Sequence, residues 1–587
     1  MEQKYRKDKK SLWAIQAVIN ELSPKQRFRR ENVLLLGLWY GKGTIKMSAF
    51  LKPFKDEMKA LKEEGGVTRV GPSGELIKCP IFGIMCTLDA IAKCKVQELH
   101  QFNGAFGCGF CFHPNLPVEG SGLRYVAVQS DGSFLQYPER THEKMIEDGL
   151  LAFELNAAGK LVVSKRGNVE TKDHVNGVLG LSVLADLPGF NSIFGYPIDY
   201  LHQLLEGITS TMISLLCDGP QNSQKYWKNH KYDVSTLNRR IKEIRPPRDM
   251  SAEPKEVTSL SEWKSKDFRL FLLFILLPAF CDLLGEAYYR NLKDLVIASY
   301  ILLSDSISRE QLREAERLLQ EFERRFNLLY GSASVTYNLH LCTHLCRVVQ
   351  FWGSLYGYST MVFESGNSHM GRLVKGTTGV VTQIARKHLS VQCVSNAIHE
   401  HPVSKKVLTF CSDIMNYRYA KPSTTFDDSI RACGNARLVE LSEDEVCAAT
   451  AASIFLPSNS MSAYRRVVKD NVVFYSASSM WKNPKQPNRT NQFDDTCVSL
   501  SDNSFAVIEN FVQIPDSTEL FMFVKPIRVA TEGHLAPHIF TCAADMFAPL
   551  KLVQCSTIFR KCARITFKNG SRTMNFVSPL PNMIEKD

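Results

Sequence analysis

The chain has 587 residues, of which 44% are hydrophobic, 22% charged and 10% aromatic. This composition is typical of folded globular proteins and excludes a disordered, collagen-like or disulfide-scaffold chain. The longest apolar run, LFLLFILLPAFC from Leu270 to Cys281, is shorter than the roughly 20 residues that a bilayer requires. It therefore predicts a buried helix, and we expect neither a membrane protein nor a secreted one.

The formal net charge of +11 is concentrated at the amino-terminal end, where the first 60 residues hold 14 basic and 6 acidic side chains. Dense basic clusters suit a phosphate backbone, because each cation can release a condensed counterion, and they also suit nuclear import. The alternative is a solvated, lysine-rich terminus. The candidate nucleic-acid-binding residues are Lys4, Arg6, Lys7, Lys9, Lys10, Arg27, Arg29 and Arg30.

In chain order, the apolar stretches 12–20 and 32–40 predict strands, and the composition of 47–64 predicts a helix with Pro53 near its start or at a kink. A buried strand is then expected over Ile81–Thr87, followed by a helix from Ala90. This order places Asp89 at the carboxyl end of a strand, where α/β folds carry their chemistry.

Residues 106–121 form a loop rich in glycine, proline and cysteine, and the chain from about 140 to 355 is predicted to be mostly helical. Within that stretch, apolar residues at helical spacing predict helices over Tyr200–Leu216, Ser308–Tyr330 and Tyr337–Gln350. Beyond residue 455, short β-prone runs separated by turn residues predict a small β-barrel or sandwich.

Two sets of residues together predict a zinc site. Cys108 and Cys111 flank a two-residue turn, so both thiols can reach the same zinc ion. His340 and His344 are four residues apart on a helix, so both imidazoles lie on one face at zinc-binding spacing. Together the two pairs form a complete Cys₂His₂ set for one ion. A redox-active cysteine pair and two core histidines are the alternatives. His113, Cys342 and Cys346 are competing ligands. The remaining cysteines, out of 17, are scattered and predict core thiols in a reducing compartment.

Further candidates are carboxylates and one histidine. Asp199, His202 and Glu206 share one side of a predicted helix, where a carboxylate orients the imidazole or simply docks the helix. Carboxylates that converge from distant segments, such as Asp89 and Glu364, can hold Mg²⁺ for phosphoryl transfer. Spacing alone does not select these two among the 60 acidic residues.

The order of these features resembles the transposases of the CACTA (EnSpm-like) DNA transposons, in particular their animal branch. The resemblance spans nearly the whole chain and lies in the stretches FRRENVLLLGLWYGKG, DAIAK with QFNGAFGCGFC after it, GYPIDYLHQLLEGIT, SVTYNLHLCTHL, FESGNSHMGRLVKGT and the closing PLPNMIEKD. It implies an RNase H-like core of the DDE recombinase type, interrupted by a large helical insertion.

The resemblance also assigns roles to the candidate residues. The second catalytic aspartate of the family falls on Asp89 and its catalytic glutamate on Glu364, with Mg²⁺ as their cofactor. Its CxxC, paired-histidine and Asp-x-x-His motifs fall on the residues named above, with Asp199 and His202 in an orienting role. The implied partner is DNA, and a homodimer is expected because such enzymes act as assemblies.

In the family, the first catalytic aspartate lies in an Asp-Gly context on the first, central strand. This chain departs from the family at that position. The match begins only at KKSLWAI, just after that strand, and Asp8 lies in a basic run with no strand before it. We therefore expect a nuclear, transposase-derived, DNA-binding protein that is inactive in strand transfer. The alternatives are an active Mg²⁺-dependent enzyme in which Asp8 or Asp199 substitutes, a zinc-stabilised protein-interaction module and, more remotely, a redox enzyme.

The fold class expected is an α/β core, RNase H-like and lacking its first strand, with a mostly α insertion and a small C-terminal β-rich domain. The predicted segments are a first core part with a basic amino-terminal end, a zinc-knuckle loop with helical insertion, a closing helical core part carrying the glutamate, a linker and the β-rich domain. Their bounds are 1–105, 106–355, 356–400, 401–440 and 441–587.

Overall fold

The structure is a computed structural model in which the chain forms two compact units. The first unit comprises Met1–Gly207 and Leu319–Asn416, and the second comprises Ile208–Leu318 and Tyr417–Asp587. The residues that the structure describes are 3–5, 10–43, 45–128, 133–158, 163–166, 169–172, 174–217, 223–228, 234–250, 253–400, 402–414, 423–427, 429–480, 493–515 and 517–585.

The helices are of three kinds. The α-helices are α1 (Pro24–Arg27), α2 (Met47–Glu63), α3 (Ala90–Gln97), α4 (His142–Ala157), α5 (Ser210–Cys217), α6 (Ser223–Tyr226), α7 (Val234–Glu243), α8 (Ser265–Leu270), α9 (Leu276–Phe280), α10 (Glu286–Leu302), α11 (Arg309–Tyr330), α12 (Tyr337–Leu341), α13 (Leu345–Trp352), α14 (Met361–Leu373), α15 (Val380–Glu400), α16 (Lys405–Ile414) and α17 (Glu443–Ala451). Leu201–Thr209 and Phe271–Ile275 are π-helical. Short 3₁₀ turns include Arg30–Asn32, Cys342–His344 and Leu355–Tyr358.

All the strands pair antiparallel. They are β1 (Gln3–Tyr5), β2 (Lys10–Ala17), β3 (Leu34–Lys42), β4 (Val67–Val70), β5 (Leu76–Cys79), β6 (Leu116–Val118), β7 (Gly122–Arg124), β8 (Val163–Arg166), β9 (Val169–Lys172), β10 (Ser423–Thr425), β11 (Ile430–Cys433), β12 (Arg437–Glu440), β13 (Ser460–Tyr464), β14 (Arg466–Lys469), β15 (Val472–Tyr475), β16 (Cys497–Leu500), β17 (Phe505–Gln513), β18 (Leu520–Val529), β19 (Phe540–Phe547), β20 (Lys551–Gln554), β21 (Ile558–Asn569) and β22 (Arg572–Pro579). The structure is therefore mixed α and β.

The first unit is built around the sheet β1-β2-β3, which helices cover on both faces. Successive side chains of a strand point to opposite faces, so Trp13 and Trp39 pack with α2 and α3 on one side. On the other side, Leu12 and Leu38 pack with Met370 of α14 and with α15. The strands predicted at 12–20 and 32–40 and the helix predicted at 47–64 are confirmed as β2, β3 and α2.

The strand expected over Ile81–Thr87 is wrong, because this stretch is described and has no regular secondary structure. Ile81 and Phe82 are exposed, by 39% and 55%, and the N–H of Cys86 donates to the carbonyl of Gly195. An apolar run forms a strand only where another strand completes its hydrogen bonds. Among the described residues, no strand pairs with Ile81–Thr87.

The second unit contains a nine-stranded sheet whose central strands form a closed circuit. The ladders run β17–β16–β21–β22–β19–β18 and return from β18 to β17, so six strands close on one another. Closure leaves no free edge in the circuit. The β-prone runs predicted beyond residue 455 are thus confirmed as strands that form a barrel-like circuit.

The apolar run at Leu270 is a buried helix, as predicted. Every residue from Leu270 to Phe280 is buried. Pro278 lacks the N–H that would bond to the preceding turn, and the helix is π-helical over Phe271–Ile275. Among the described residues, no helix combines the length and apolarity needed to cross a membrane.

Two predicted segments differ from the observed organisation. Residues 208–318, placed in the helical insertion, belong to the second unit, together with the C-terminal strands. The predicted linker 401–440 instead contains α16, β10, β11 and β12. Its strands are short, of three or four residues, so local composition alone gave no clear strand pattern there.

Candidate metal centre

Four side chains of the first unit, two thiols and two imidazoles, lie close together and have the donor types of a metal site. The ligand atoms of Cys108, Cys111, His340 and His344 all lie within 4.8 Å of one another. The Sγ of Cys108 lies 3.7 Å from Nε2 of His344, the Sγ of Cys111 lies 3.3 Å from Nε2 of His340, and the two Nε2 atoms are 3.2 Å apart.

These separations agree with the edges of a zinc tetrahedron. With zinc–sulfur bonds of about 2.3 Å and zinc–nitrogen bonds of about 2.0–2.1 Å, a tetrahedral ion sets sulfur and nitrogen about 3.6 Å apart and two nitrogens about 3.3 Å apart. All four residues are buried, at 0% to 7% exposure. The donor set and its burial are those of a closed, structural zinc site. The zinc expected from the sequence therefore fits these residues.

The cysteine loop is shaped by one buried arginine. Arg140 is 4% exposed, and its guanidinium donates to the carbonyl oxygens of Cys108, Cys111, Phe106 and Asn176 at 2.7–3.1 Å. Within the loop, the N–H of Phe110 points to Cys108 Sγ at 3.4 Å. These bonds hold the backbone on both sides of the turn and so help to direct the two thiols to the same point.

The histidine pair lies on a helix that is interrupted. The prediction of one helix over Tyr337–Gln350 is wrong in detail, since α12 ends at Leu341 and a 3₁₀ turn over Cys342–His344 precedes α13. Both imidazoles nevertheless face the cysteines. Tyr125 stacks on the ring of His340 with centroids 4.8 Å apart, and Phe110 stacks on that of His344 at 5.3 Å.

A buried carboxylate, that of Glu323, lies near the second ring nitrogen of His340. The Nδ1 of His340 lies 3.8 Å from Oε1 of Glu323, a residue of α11 that is 2% exposed. Metal-bound histidines commonly direct their second ring nitrogen to a carboxylate, which orients the ring and raises its basicity. Glu323 is thus placed to orient His340.

The charges of the four ligands are coupled. Burial opposes ionisation of Cys108, but the hydrogen bond from Cys111 and the two imidazoles outweigh it and hold the pKa of that thiol well below its usual range. The hydrogen bond to Cys108, together with burial, raises the pKa of Cys111. Burial lowers the pKa of His340, yet the charge of Cys108 raises it to about 9 overall. The site therefore favours a thiolate, the form in which cysteine binds zinc.

The competing ligands have other partners. In His113, Nδ1 accepts the N–H of Asn115 at 2.9 Å and Nε2 lies 3.2 Å from the carbonyl of Val126, so both ring nitrogens are occupied. The Sγ of Cys342 lies 3.2 Å from Nε2 of Gln203. In the described part of the chain, the four-residue cluster is the one group of three or more such side chains close enough to share an ion, and Cys346 is outside it.

A second polar cluster ties Asp199 to two segments. Its carboxylate, 2% exposed, accepts the N–H and the hydroxyl of Thr360 at 2.9 and 2.7 Å, and the N–H and Nδ1–H of His202 at 3.2 and 2.5 Å. The predicted helix over Tyr200–Leu216 begins as a π-helix, a form often found at functional sites. The predicted contact between Asp199 and His202 is present, and Glu206 is exposed.

Glu364 faces the other side of that imidazole. Its Oε1 lies 3.0 Å from Nε2 of His202. Burial lowers the pKa of His202, but the carboxylates of Asp199 and Glu364 outweigh burial and raise it to about 10. His202 is therefore a cation held between two carboxylates at neutral pH.

Asp89, assigned by resemblance to catalysis, lies at the amino-terminal end of α3. It caps α3, where its carboxylate accepts the N–H of Ala92 at 2.8 Å. Glu364 is engaged by His202, and no group of three carboxylates converges among the described residues. The Mg²⁺ site expected at Asp89 and Glu364 does not fit the side-chain arrangement.

The basic residues fall into three groups. Arg6, Lys7 and Lys9 lie outside the described residues, as does Asp8, and the structure describes only the backbone of Lys4, in β1. Lys10 lies over the ring of Tyr40, and Arg27 donates to carbonyl oxygens of Asn20, Leu22 and Gly357. Arg29 and Arg30 are exposed.

Sequence reasoning missed several residues that build these clusters. Glu323 carried a signal, since a carboxylate at the centre of an apolar helix face between Phe322 and Phe326 is unusual unless it has a buried partner. Arg140 and Thr360 carried none, because their partners are distant in sequence. They act through backbone carbonyls and a carboxylate that only the fold brings to them.

Comparison with models of protein families finds no match to this chain, and neither does comparison with curated proteins. The metal centre does not depend on such a match, because donor types, distances and burial define it. The four side chains can hold a metal ion between the loop at Cys108–Cys111 and the helices at His340–His344. The ion would be four-coordinate, with no open position for a substrate.

Proposed function

We propose that the chain is a transposase-derived, nucleic-acid-binding protein of the CACTA type, with a zinc-stabilised core and no DNA strand transfer activity. It would act in the nucleus and bind DNA weakly and without sequence preference. A homodimer remains part of the proposal.

The layered core supports the family assignment. A three-stranded antiparallel sheet covered by helices on both faces is consistent with part of an RNase H-like core. Glu364 lies on α14, whose Met370 packs against this sheet. The CxxC and paired histidines converge into one site, as the family's motifs imply they should.

The observation that carries the proposal of inactivity is the position of His202 between Asp199 and Glu364. A two-metal reaction requires carboxylates that are free to bridge Mg²⁺ ions. Here the candidate glutamate pairs with an imidazolium at 3.0 Å, and Asp89 caps a helix. These carboxylates stabilise the fold instead.

The zinc ion has a structural role in the proposal. It would link two segments more than 200 residues apart, at a site whose ligands are buried and whose coordination is complete. Binding energy at such a site is folding energy, because the unfolded chain does not preform it.

The test is a paired assay on the purified full-length chain. DNA binding is measured by fluorescence anisotropy with a labelled 30-base-pair duplex at several salt concentrations, and strand cleavage is measured on the same duplex with Mg²⁺ or Mn²⁺. We expect salt-sensitive binding and no cleavage.

Cleavage that requires the metal and disappears in Glu364→Gln would overturn the proposal in favour of an active DDE enzyme. Absence of DNA binding at low salt would overturn it in favour of a protein-interaction module. Binding of the same strength at 50 and 200 mM salt would also contradict it, since phosphate contacts weaken with salt.

A further inference from the structure

Positive side chains from two distant parts of the sequence lie near one another in the first unit. Burial lowers the pKa of His369 on α14, and the neighbouring side chains of Arg30, Arg372 and His388 lower it further. Arg30 begins the 3₁₀ turn after α1, and the other three lie on α14 and α15. The side chains that lower this pKa are thus all basic, and two of them are arginines.

The packing explains how these elements meet. Helix α15 contacts the 3₁₀ turn and β3, and Nε2 of Gln392 donates to the carbonyl of Val33 at 3.3 Å. On the same side, Val380 and Ile384 of α15 pack with Leu12 of β2. The turn and the two helices are therefore joined through one core.

Hydrogen bonds of Arg27 and Asn32 also fix the 3₁₀ turn Arg30–Asn32 and the residues that precede it. The guanidinium of Arg27 donates to Leu22 at 3.1 Å and to Gly357 at 3.5 Å, both backbone carbonyls, and Asn32 Nδ2 donates to Gln26 at 2.8 Å. Gly357 lies just before α14, so Arg27 positions the turn beside that helix. A surface preformed in this way loses little conformational entropy on binding.

The cations of this surface have no acidic partner among the described residues. Arg30 and Arg372 are exposed, and neither forms an ion pair with another described residue. On α11, by contrast, Arg317 pairs with Glu314 at 2.7 Å and Arg324 with Glu321 at 2.8 Å. Residues 365–399 contain four Lys or Arg and no Asp or Glu.

The composition indicates which form of nucleic acid fits. Proteins that bind single strands stack bases on aromatic side chains, and residues 365–399 contain no Phe, Tyr or Trp. The α14 and α15 part of this surface thus offers cations without aromatic residues, which suits contact with the phosphate backbone of a duplex.

We propose that Arg29, Arg30 and Arg372 form a binding surface for the phosphate backbone of duplex DNA, here called the α14 basic surface. The inference rests on the proposed function and deepens it, because it assigns DNA contact to α14 and α15 as well as to the basic amino-terminal stretch. Arg27 is a positioning residue for this surface.

The test measures duplex binding by anisotropy from 50 to 200 mM salt for the full-length wild type, Arg30→Gln, Arg372→Gln and the double variant. Each lost phosphate contact lowers the slope of log affinity against log salt by about 0.9 and the affinity at 0.1 M salt by about 8-fold. Arg372→Lys keeps the charge and should keep the slope. Arg69→Gln, an exposed arginine of β4, is the matched control. Zinc content checks that each variant folds.

The outcomes separate this proposal from the broader one. If the wild type binds no DNA, both proposals fall. If the wild type binds but the double variant binds with the same slope and affinity, or no more weakly than Arg69→Gln, the surface is wrong and the proposed function stands. Tighter binding of single-stranded than of duplex DNA would overturn the assignment to a duplex.

Discussion

The carboxylate of Asp199 offers the sharpest test of how the first unit is held together. One of its oxygens accepts the N–H of Thr360, and the other accepts the Thr360 hydroxyl and two N–H groups of His202. Asp199→Asn removes the charge and replaces one acceptor oxygen by an NH₂ donor. Depending on which oxygen is replaced, one or three of the four donors then lose their acceptor in a buried site, and the remaining bonds lose the carboxylate charge.

The expected loss of stability follows from the number of hydrogen bonds that the Asp199 carboxylate accepts. A hydrogen bond to a charged group contributes about 1.5–3 kcal/mol, and breaking a buried pair by removing one partner costs about 3–5 kcal/mol. We expect Asp199→Asn to lower the free energy of local opening by at least about 3 kcal/mol, which is a change of about 100-fold or more in the opening equilibrium. Thr360→Val, which loses one bond, should cost about 1 kcal/mol.

Native-state hydrogen exchange with mass spectrometry measures this directly, because it reports the local opening of peptides that contain residues 199–206 and 358–364. The matched control is Asp186→Asn. Its carboxylate is 50% exposed and pairs with Lys59 at 3.0 Å, so its loss should cost under about 1 kcal/mol. Exchange in Asp199→Asn within threefold of the wild-type rate, or no faster than in the control, would refute the reasoning.

Elemental analysis should find about one zinc per chain, lost in Cys108→Ser and kept in Cys342→Ser, whose buried thiol lies outside the ligand set; retention in the first variant would contradict the site. Gly107→Ala should weaken zinc retention against a chelator about 10-fold or more, because its Cβ would lie 2.4 Å from the carbonyl oxygen of Gln101; unchanged retention would show that the loop is pliable. Since the folded pKa of His202 is raised to about 10, its stabilising contribution is complete below about pH 6.5 and disappears as pH rises through about 10. The melting temperature of the first unit should therefore fall over that pH range, and it should fall less in His202→Gln. Equal pH profiles of the melting temperature in the two proteins would disprove the pairing of His202 with the two carboxylates.

Local signals in the sequence were sufficient for elements that depend on their own residues. Ser308 and Gln311 predict a capping box, and each side chain accepts the other residue's N–H at 3.2 and 2.9 Å. The pair Glu321 and Arg325 also forms, at 2.6 Å. Such contacts span one helical turn, so composition and spacing determine them.

Elements that depend on distant partners were not predictable in the same way. Ile81–Thr87 has the apolar character of a buried strand but lacks a neighbouring strand among the described residues. The cysteine and histidine pairs were identified as zinc ligands, whereas the role of Arg140, which bonds four carbonyls of the fold, had no local signal. Asp89 was assigned to catalysis by resemblance alone, and the structure shows that its side chain caps α3.

The distance in sequence between the two halves of the metal centre has a consequence for synthesis. Cys108 and His344 are 236 residues apart, and a ribosome adds about 5–20 residues per second. The cysteine loop therefore leaves the ribosome roughly 10–50 seconds before the last histidine. During that interval its thiols have no metal partner within the chain, so a zinc donor or a reducing environment must protect them until the second pair arrives.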